Sequence, residues 1–329
     1  MKTVKVYFVI FAAAIGFVVS AVSLGRTHGG QVQTQKAESP AKPAAESPVK
    51  PGAESPVKPT VMIRQPTGPN TPNTTPNITP STSIAFADAA AKNTIFRDQL
   101  AWTFGGKQQR GWYLYDSLLH QTLSTQSSTA TSDFAAALST WQDGRGFSPQ
   151  GILDENAFMD VVSFWQSNRL KDRTPATPDQ LITAPASEFY DPERDAELRQ
   201  VERNTYAAYK RMLAAAIADP ILKLDHVAPD ELAPTEQFFK IVSAHRSREY
   251  QEKLRRESPN AGSAGLAVNS PHFTGRALDL YVGGDPVDTR DSNRAIQVNT
   301  PVYQWLVHNA ERFGFRPYFY EPWHWEYVK

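Results

Sequence analysis

The chain has 329 residues, 40% of them hydrophobic, with 34 basic and 34 acidic side chains and a formal net charge of zero. That length and apolar content allow at least one sizeable core and suggest two or three units. The charge balance leaves no electrostatic footprint for nucleic acid, and the lack of cysteine excludes disulfides, thiolate metal sites, a catalytic cysteine and a lipidated N-terminal cysteine.

Lys2 and Lys5 precede an uncharged apolar stretch, Val6 to Leu24. As a helix rising about 1.5 Å per residue, it would cross most of a bilayer's hydrocarbon core. Residues 1–24 are therefore expected to be either a cleaved signal peptide, with Val19-Ser20-Ala21 as the small-residue site, or an uncleaved membrane anchor. The length of the apolar run favours the anchor. In both cases the lysines predict a cytoplasmic N-terminus and an exported remainder in the cell envelope.

Residues 25–83 are expected to form a disordered, Pro-rich tether. Within it, residues 37–60 repeat three times as AESPAKPA, AESPVKPG and AESPVKPT. Such segments lack the apolar content to offset chain entropy by burial. Their regularly spaced prolines favour an extended spacer. A spacer after a membrane segment gives reach, which suits a substrate that is a layer rather than a small solute.

Residues 84–175 read as a module of short helices. Trp112, Leu114, Tyr115, Leu118 and Leu119 form an apolar stripe, and a second helix is predicted from Asp133 to Gln142 with Ser132 or Asp133 as its cap. Trp141-Gln142, followed by Gly151-Ile152-Leu153-Asp154 and a further helix, resembles the small helical peptidoglycan-binding module. An ordinary helical hairpin packed on its neighbour is the competing reading.

Residues 176–329 are expected to be a second domain. The pattern Leu198, Val201, Tyr206, Tyr209, Met212 and Leu213 predicts one long helix over 192–219, ended by Pro220. Strand character begins at Phe238. A helix is predicted around Arg248–Glu257, a strand at 276–282, and a helix starting at Thr300-Pro301 and running to Phe313. Two short aromatic strands close the chain. This order predicts an α+β domain, a small antiparallel sheet with flanking helices.

Two stretches carry chemistry. In Ser270-Pro-His272-Phe-Thr-Gly275-Arg-Ala277-Leu-Asp279, a strand would put Asp279 on the face opposite Leu278 and Leu280, beside the small Ala277. In Glu321-Pro-Trp-His324-Trp-Glu326-Tyr, a strand would turn His324 away from Trp323 and Trp325. Two imidazoles and one carboxylate suit Zn²⁺ with an open fourth position. A free carboxylate such as Glu321 can then take a proton from the attacking water. Arg246 could bind a substrate carboxylate or a developing oxyanion. His245, beside it, is expected to be exposed.

Together these stretches resemble the signature of the M15, or VanY-like, D-alanyl-D-alanine carboxypeptidases, and Ser243-Ala-His-Arg246 is similar to that family's upstream motif. The resemblance implies His272, Asp279 and His324 as zinc ligands, Glu321 as catalytic base, and Arg246 and Ser270 as substrate contacts. It implies removal of the terminal D-alanine from peptidoglycan stem peptides. An endopeptidase or a D,D-dipeptidase on the same zinc site is an alternative, as is a non-catalytic wall-binding protein. The partners expected are stem peptides and, if the first segment is uncleaved, the membrane. Oligomeric state is not legible.

Overall fold

A computed structural model describes residues 85–257 and 267–329. The expected signal or anchor segment and the Pro-rich tether lie outside the described residues. Among the described residues no helix is long and apolar enough to cross a membrane.

The first part is helical, as expected: α1 (Ala87–Gln99), α2 (Asp116–Leu123), α3 (Ser132–Gly144) and α4 (Glu155–Ser167). The Trp112 to Leu119 stripe is buried. The cap of α3 is Thr131, whose side chain accepts from Phe134 N–H, rather than Ser132 or Asp133. One feature departs from an all-helical module. Strands β1 (Ala101–Phe104) and β2 (Lys107–Arg110) form a hairpin after α1. Its two-residue turn is Gly105-Gly106, with φ of 57° and 76°, a left-handed geometry that only glycine adopts freely at both positions.

Gln142 and the following turn are joined by side-chain bonds. Gln142 accepts from Gly151 N–H at 2.9 Å and donates to Ile152 O at 3.1 Å. Asn93, fully buried on α1, donates to Gly151 O and accepts from Leu153 N–H, each at 2.8 Å. Asp154 then caps α4.

The second part opens with a small pair, β3 (Leu181–Thr183) and β4 (Gln200–Glu202). Helix α5 (Arg203–Ile217) follows. The predicted long helix over 192–219 is thus shorter. Val201 is buried in a strand rather than on a helical face, because residues 200–202 pair with 181–183. The Glu202 side chain then caps α5, accepting from Asn204 and Thr205 N–H.

Beyond the short pair β5 (His226–Ala228) and β6 (Glu231–Leu232), the main sheet contains β7 (Ile241–Ser243), β8 (Ala277–Leu280), β9 (Phe315–Pro317) and β10 (His324–Tyr327), in the order β7-β8-β10-β9. All its pairings are antiparallel. Helices α6 (Arg248–Glu257), α7 (Asp291–Val298) and α8 (Pro301–Asn309) complete the part. The α+β expectation holds. Thr300 caps α8, accepting from Tyr303 N–H, with Pro301 in the first turn.

One face of the sheet is core. Leu278, Leu280 and Trp325 are buried there, and Trp325 lies near Tyr303 of α8. Phe239, beside β7, meets Trp305 edge-on at 5.6 Å. The hydrophobic core is continuous between the two parts. Phe104 of β2's partner strand lies 4.8 Å from Phe319 and 5.2 Å from Tyr320. Tyr115 and Trp165 approach Phe319 at 5.5 and 5.8 Å.

Candidate metal centre and active site

Residues of β8 and β10 face each other in register, with His324 opposite Asp279 and Glu326 opposite Ala277. Directly opposed residues of an antiparallel pair project from the same face. The sheet therefore brings Asp279, His324 and Glu326 to the side away from Leu278 and Trp325. Ala277, being small, leaves room for Glu326.

His272 arrives from the loop before β8. It lies in a short 3-10 turn, Pro271–Thr274, capped by Ser270, whose Oγ accepts from His272 N–H at 3.3 Å. Gly275 ends the turn with φ of 65°, and a Cβ there would lie 2.9 Å from Glu202 N and from Leu181 Cδ2. Gly275→Ala should therefore lower stability by about 1–3 kcal/mol. It should also weaken metal binding by shifting His272. Thermal denaturation and a chelator titration check the two effects.

His272, Asp279 and His324 are all buried, and their ligand atoms lie within 4.8 Å of one another. Asp279 Oδ1 is 3.3 Å from His272 Nε2 and 2.8 Å from His324 Nδ1. Tetrahedral zinc with bonds of about 2.0–2.1 Å separates its ligands by about 3.4 Å. The cluster needs little change to take such an ion.

Each ligand atom is selected by what holds the rest of its side chain. His272 Nδ1 lies 2.6 Å from Ala244 O, so its N–H donates there and Nε2 is free. Asp279 Oδ2 accepts from Arg246 Nη2 at 2.6 Å, which leaves Oδ1. His324 Nε2 lies 3.2 Å from Glu326 Oε1, which leaves Nδ1.

The electrostatics also fit a cation. Burial and the nearby Arg246 charge push His272 down to about 4, so it is neutral at neutral pH and suits a ligand. Burial opposes a charge on His324, yet hydrogen bonds to Asp279 and Glu326 outweigh it and raise its pKa to about 9. An imidazole set between two buried carboxylates draws a second proton. A metal ion beside Asp279 would meet the same demand for positive charge. Burial also works against the charge on Glu326, but the bond and charge of His324, with Arg169, hold its carboxyl below the usual range.

Glu321 is buried just before β10, in a turn where its N–H donates to Tyr318 O and its O accepts from His324 N–H. No hydrogen bond to its carboxyl occurs among the described residues. Burial first, then the Asp279 charge, raises its pKa to about 8, with His324, Arg246 and Arg169 opposing. A carboxyl poised there can both accept and donate a proton near neutral pH.

Arg246 is heavily engaged. Its Nε donates to Ser243 Oγ at 2.9 Å, and its Nη groups to Asp279 and, at 3.4 Å, to Gln251. His245 is half-buried rather than exposed, and burial pushes its pKa down.

The sequence assigns no role to two groups near the site, although alternation puts Glu326 on the face of His324. That alternation is its only signal. Arg194 carries none. The segment before Arg194 runs beside β7. Tyr190 N–H donates to Ile241 O at 3.0 Å, and the Tyr190 ring stacks on Tyr281 at 4.7 Å. The Arg194 guanidinium has no hydrogen bond or ion pair among the described residues. Burial lowers its pKa, and it lies near enough for the charges of Tyr250, Arg246 and Asp279 to act on it.

Residues 199–329 match the family model VanY, described as D-alanyl-D-alanine carboxypeptidase. That segment, about two fifths of the chain, is similar to the VanY family. The matched segment contains His272, Asp279 and His324 of the candidate metal centre, together with Glu321, Arg246 and Ser270. A solved structure of the LdcB LD-carboxypeptidase, described as revealing the molecular basis of peptidoglycan recognition, is also similar. It shares 23% identity over 48% of this chain and 71% of that one, with a TM-score of 0.32. No curated protein sequence matches the chain.

Proposed function

We propose that the chain is a zinc-dependent D-alanyl-D-alanine carboxypeptidase that removes the terminal D-alanine from peptidoglycan stem peptides. The observation that carries this reading is the buried His272–Asp279–His324 group beside an unpaired Glu321 carboxyl, inside the VanY segment. Such a substrate places the enzyme outside the cytoplasm.

His272 through Nε2, Asp279 through Oδ1 and His324 through Nδ1 would hold the ion. Zinc there supplies Lewis acidity toward a peptide carbonyl and a water. Glu321 accepts the proton of the attacking water and returns it to the leaving amine, which departs as D-alanine. Arg246 holds Asp279 oriented and brings a positive charge to the site that would stabilise developing negative charge on the carbonyl oxygen. Ser270 fixes the turn that bears His272 and lines the substrate side.

With Arg246 bonded to Asp279, the free guanidinium of Arg194 suits the substrate's terminal carboxylate. Arg194→Ala should raise KM about tenfold or more with kcat little changed, because it removes binding common to ground state and transition state. A KM unchanged within twofold would reject that role.

The test of the function is incubation of the purified protein with a muramyl pentapeptide ending in D-Ala-D-Ala, with zinc or with chelator, and mass analysis of the products. Chelator-sensitive loss of one alanine supports the proposal. Cleavage at an internal bond would instead favour an endopeptidase on the same centre. Co-sedimentation with wall material without any cleavage would favour the non-catalytic alternative.

A further inference from the structure

His324 has two ring nitrogens, and one of them is needed for the ion. Nδ1 lies 2.8 Å from Asp279 Oδ1, toward His272, while Nε2 lies 3.2 Å from Glu326 Oε1. A neutral imidazole carries one proton on one of these atoms. Glu326 Oε1 already accepts from the guanidinium donors of Arg169 and Arg173, so it faces Nε2 as an acceptor and favours the proton there. That leaves the Nδ1 lone pair directed at the Asp279 side. The competing tautomer would donate from Nδ1 to Asp279 and block the ligand position.

Glu326 is 0% exposed, so its protein partners fix the carboxyl against His324. A buried carboxylate is costly unless it is hydrogen-bonded. Here the partners come from the segment after α4, ahead of the VanY-matched residues. Arg169 donates to Oε1 from Nε at 3.1 Å and Nη2 at 2.5 Å, and Arg173 adds a contact at 3.3 Å. Leu170 N–H donates to Oε2 at 2.9 Å. The Arg169 guanidinium also lies 3.9 Å over the Tyr318 ring. Tyr318 N–H in turn donates to His324 O at 2.9 Å, so arginine and histidine are tied to one turn.

We propose that Arg169 and Glu326 are positioning residues of the metal centre: Arg169 fixes the Glu326 carboxyl as an acceptor, Glu326 orients His324, and the centre is thereby completed from outside the family-matched segment. The inference rests on the metal-centre reading above but not on any particular substrate.

The test uses the full-length chain as wild type, Glu326→Gln, Arg169→Ala and Arg169→Lys. Zinc and cobalt(II) affinities are measured by competition with a chromophoric chelator. The cobalt(II) visible spectrum reports the ligand field, and circular dichroism of the metal-free protein reports the fold. Glu326→Gln and Arg169→Ala should weaken metal binding 10- to 100-fold with the fold retained. Their cobalt spectra should change, and Arg169→Lys should recover part of the affinity. The double variant of Arg169→Ala with Glu326→Gln should bind no more weakly than the weaker single variant, since both act through one hydrogen bond.

Wild-type affinity and spectrum in Glu326→Gln and Arg169→Ala would overturn the proposal. So would losses of affinity that merely track loss of fold. A wild-type chain that binds neither ion would overturn this inference together with the metal-centre reading. Metal binding weakened in the variants supports the inference even if the wild type cleaves no peptide, in which case the proposed function alone falls.

Discussion

Glu321→Gln should leave zinc stoichiometrically bound while lowering kcat about 10²- to 10⁴-fold, the range expected for loss of a general acid–base group. The separation follows from position. Glu321 lies beside the cluster without belonging to it, whereas His272, Asp279 and His324 bring their ligand atoms within 4.8 Å of one another. Glutamine preserves the shape and polarity of the side chain but cannot take a proton. KM should change little, because the lost interaction arises only as the proton moves. His324→Ala gives the contrast, since it should lose both metal and turnover. Metal analysis alongside steady-state kinetics separates the two results. Near-normal turnover in Glu321→Gln would show that another group is the base.

Expressed alone, residues 199–329 should fail to fold cooperatively, although they span the whole family match. Removing the preceding part strips Phe104, Tyr115 and Trp165 from around Phe319 and Tyr320. Burial of each large aromatic is worth about 1.5–3 kcal/mol. The same cut deprives Glu326 of Arg169, Arg173 and Leu170 N–H. Breaking a buried ion pair from one side costs about 3–5 kcal/mol. Together these losses are comparable to the whole net stability of a typical domain, about 5–15 kcal/mol. Thermal unfolding by circular dichroism should show a sharp transition for the full chain and none for the segment. A cooperative transition in the segment would mean that its core is self-sufficient.

The candidate ligands were legible because local pattern decides which way a side chain points. Alternation in Ala277-Leu278-Asp279-Leu280 sets Asp279 against two core leucines, and alternation in His324-Trp325-Glu326 does the same for His324. The same logic located α6 and the start of α8, where Thr300 and Pro301 supply local capping chemistry. It failed where pairing overrode periodicity. Residues 200–202 fit a helical stripe, yet they form a strand against 181–183 and push the start of α5 to Arg203. It also passed over Gly105-Gly106, a turn signal sitting between two short strands that bury little.

The sequence by itself thus determined the residue types of the candidate metal centre, the faces on which Asp279 and His324 stand, and the α+β order of elements. These follow from the backbone's short-range geometry, which spacing reports directly. Only the tertiary structure decided that Asp279 lies opposite His324 across 45 residues, that Arg246 is spent on Asp279, and that Arg169 reaches Glu326 across 157. Those contacts depend on register between distant strands and on how the helical part packs against the sheet. No local pattern encodes either, because each is set by the burial of many side chains at once.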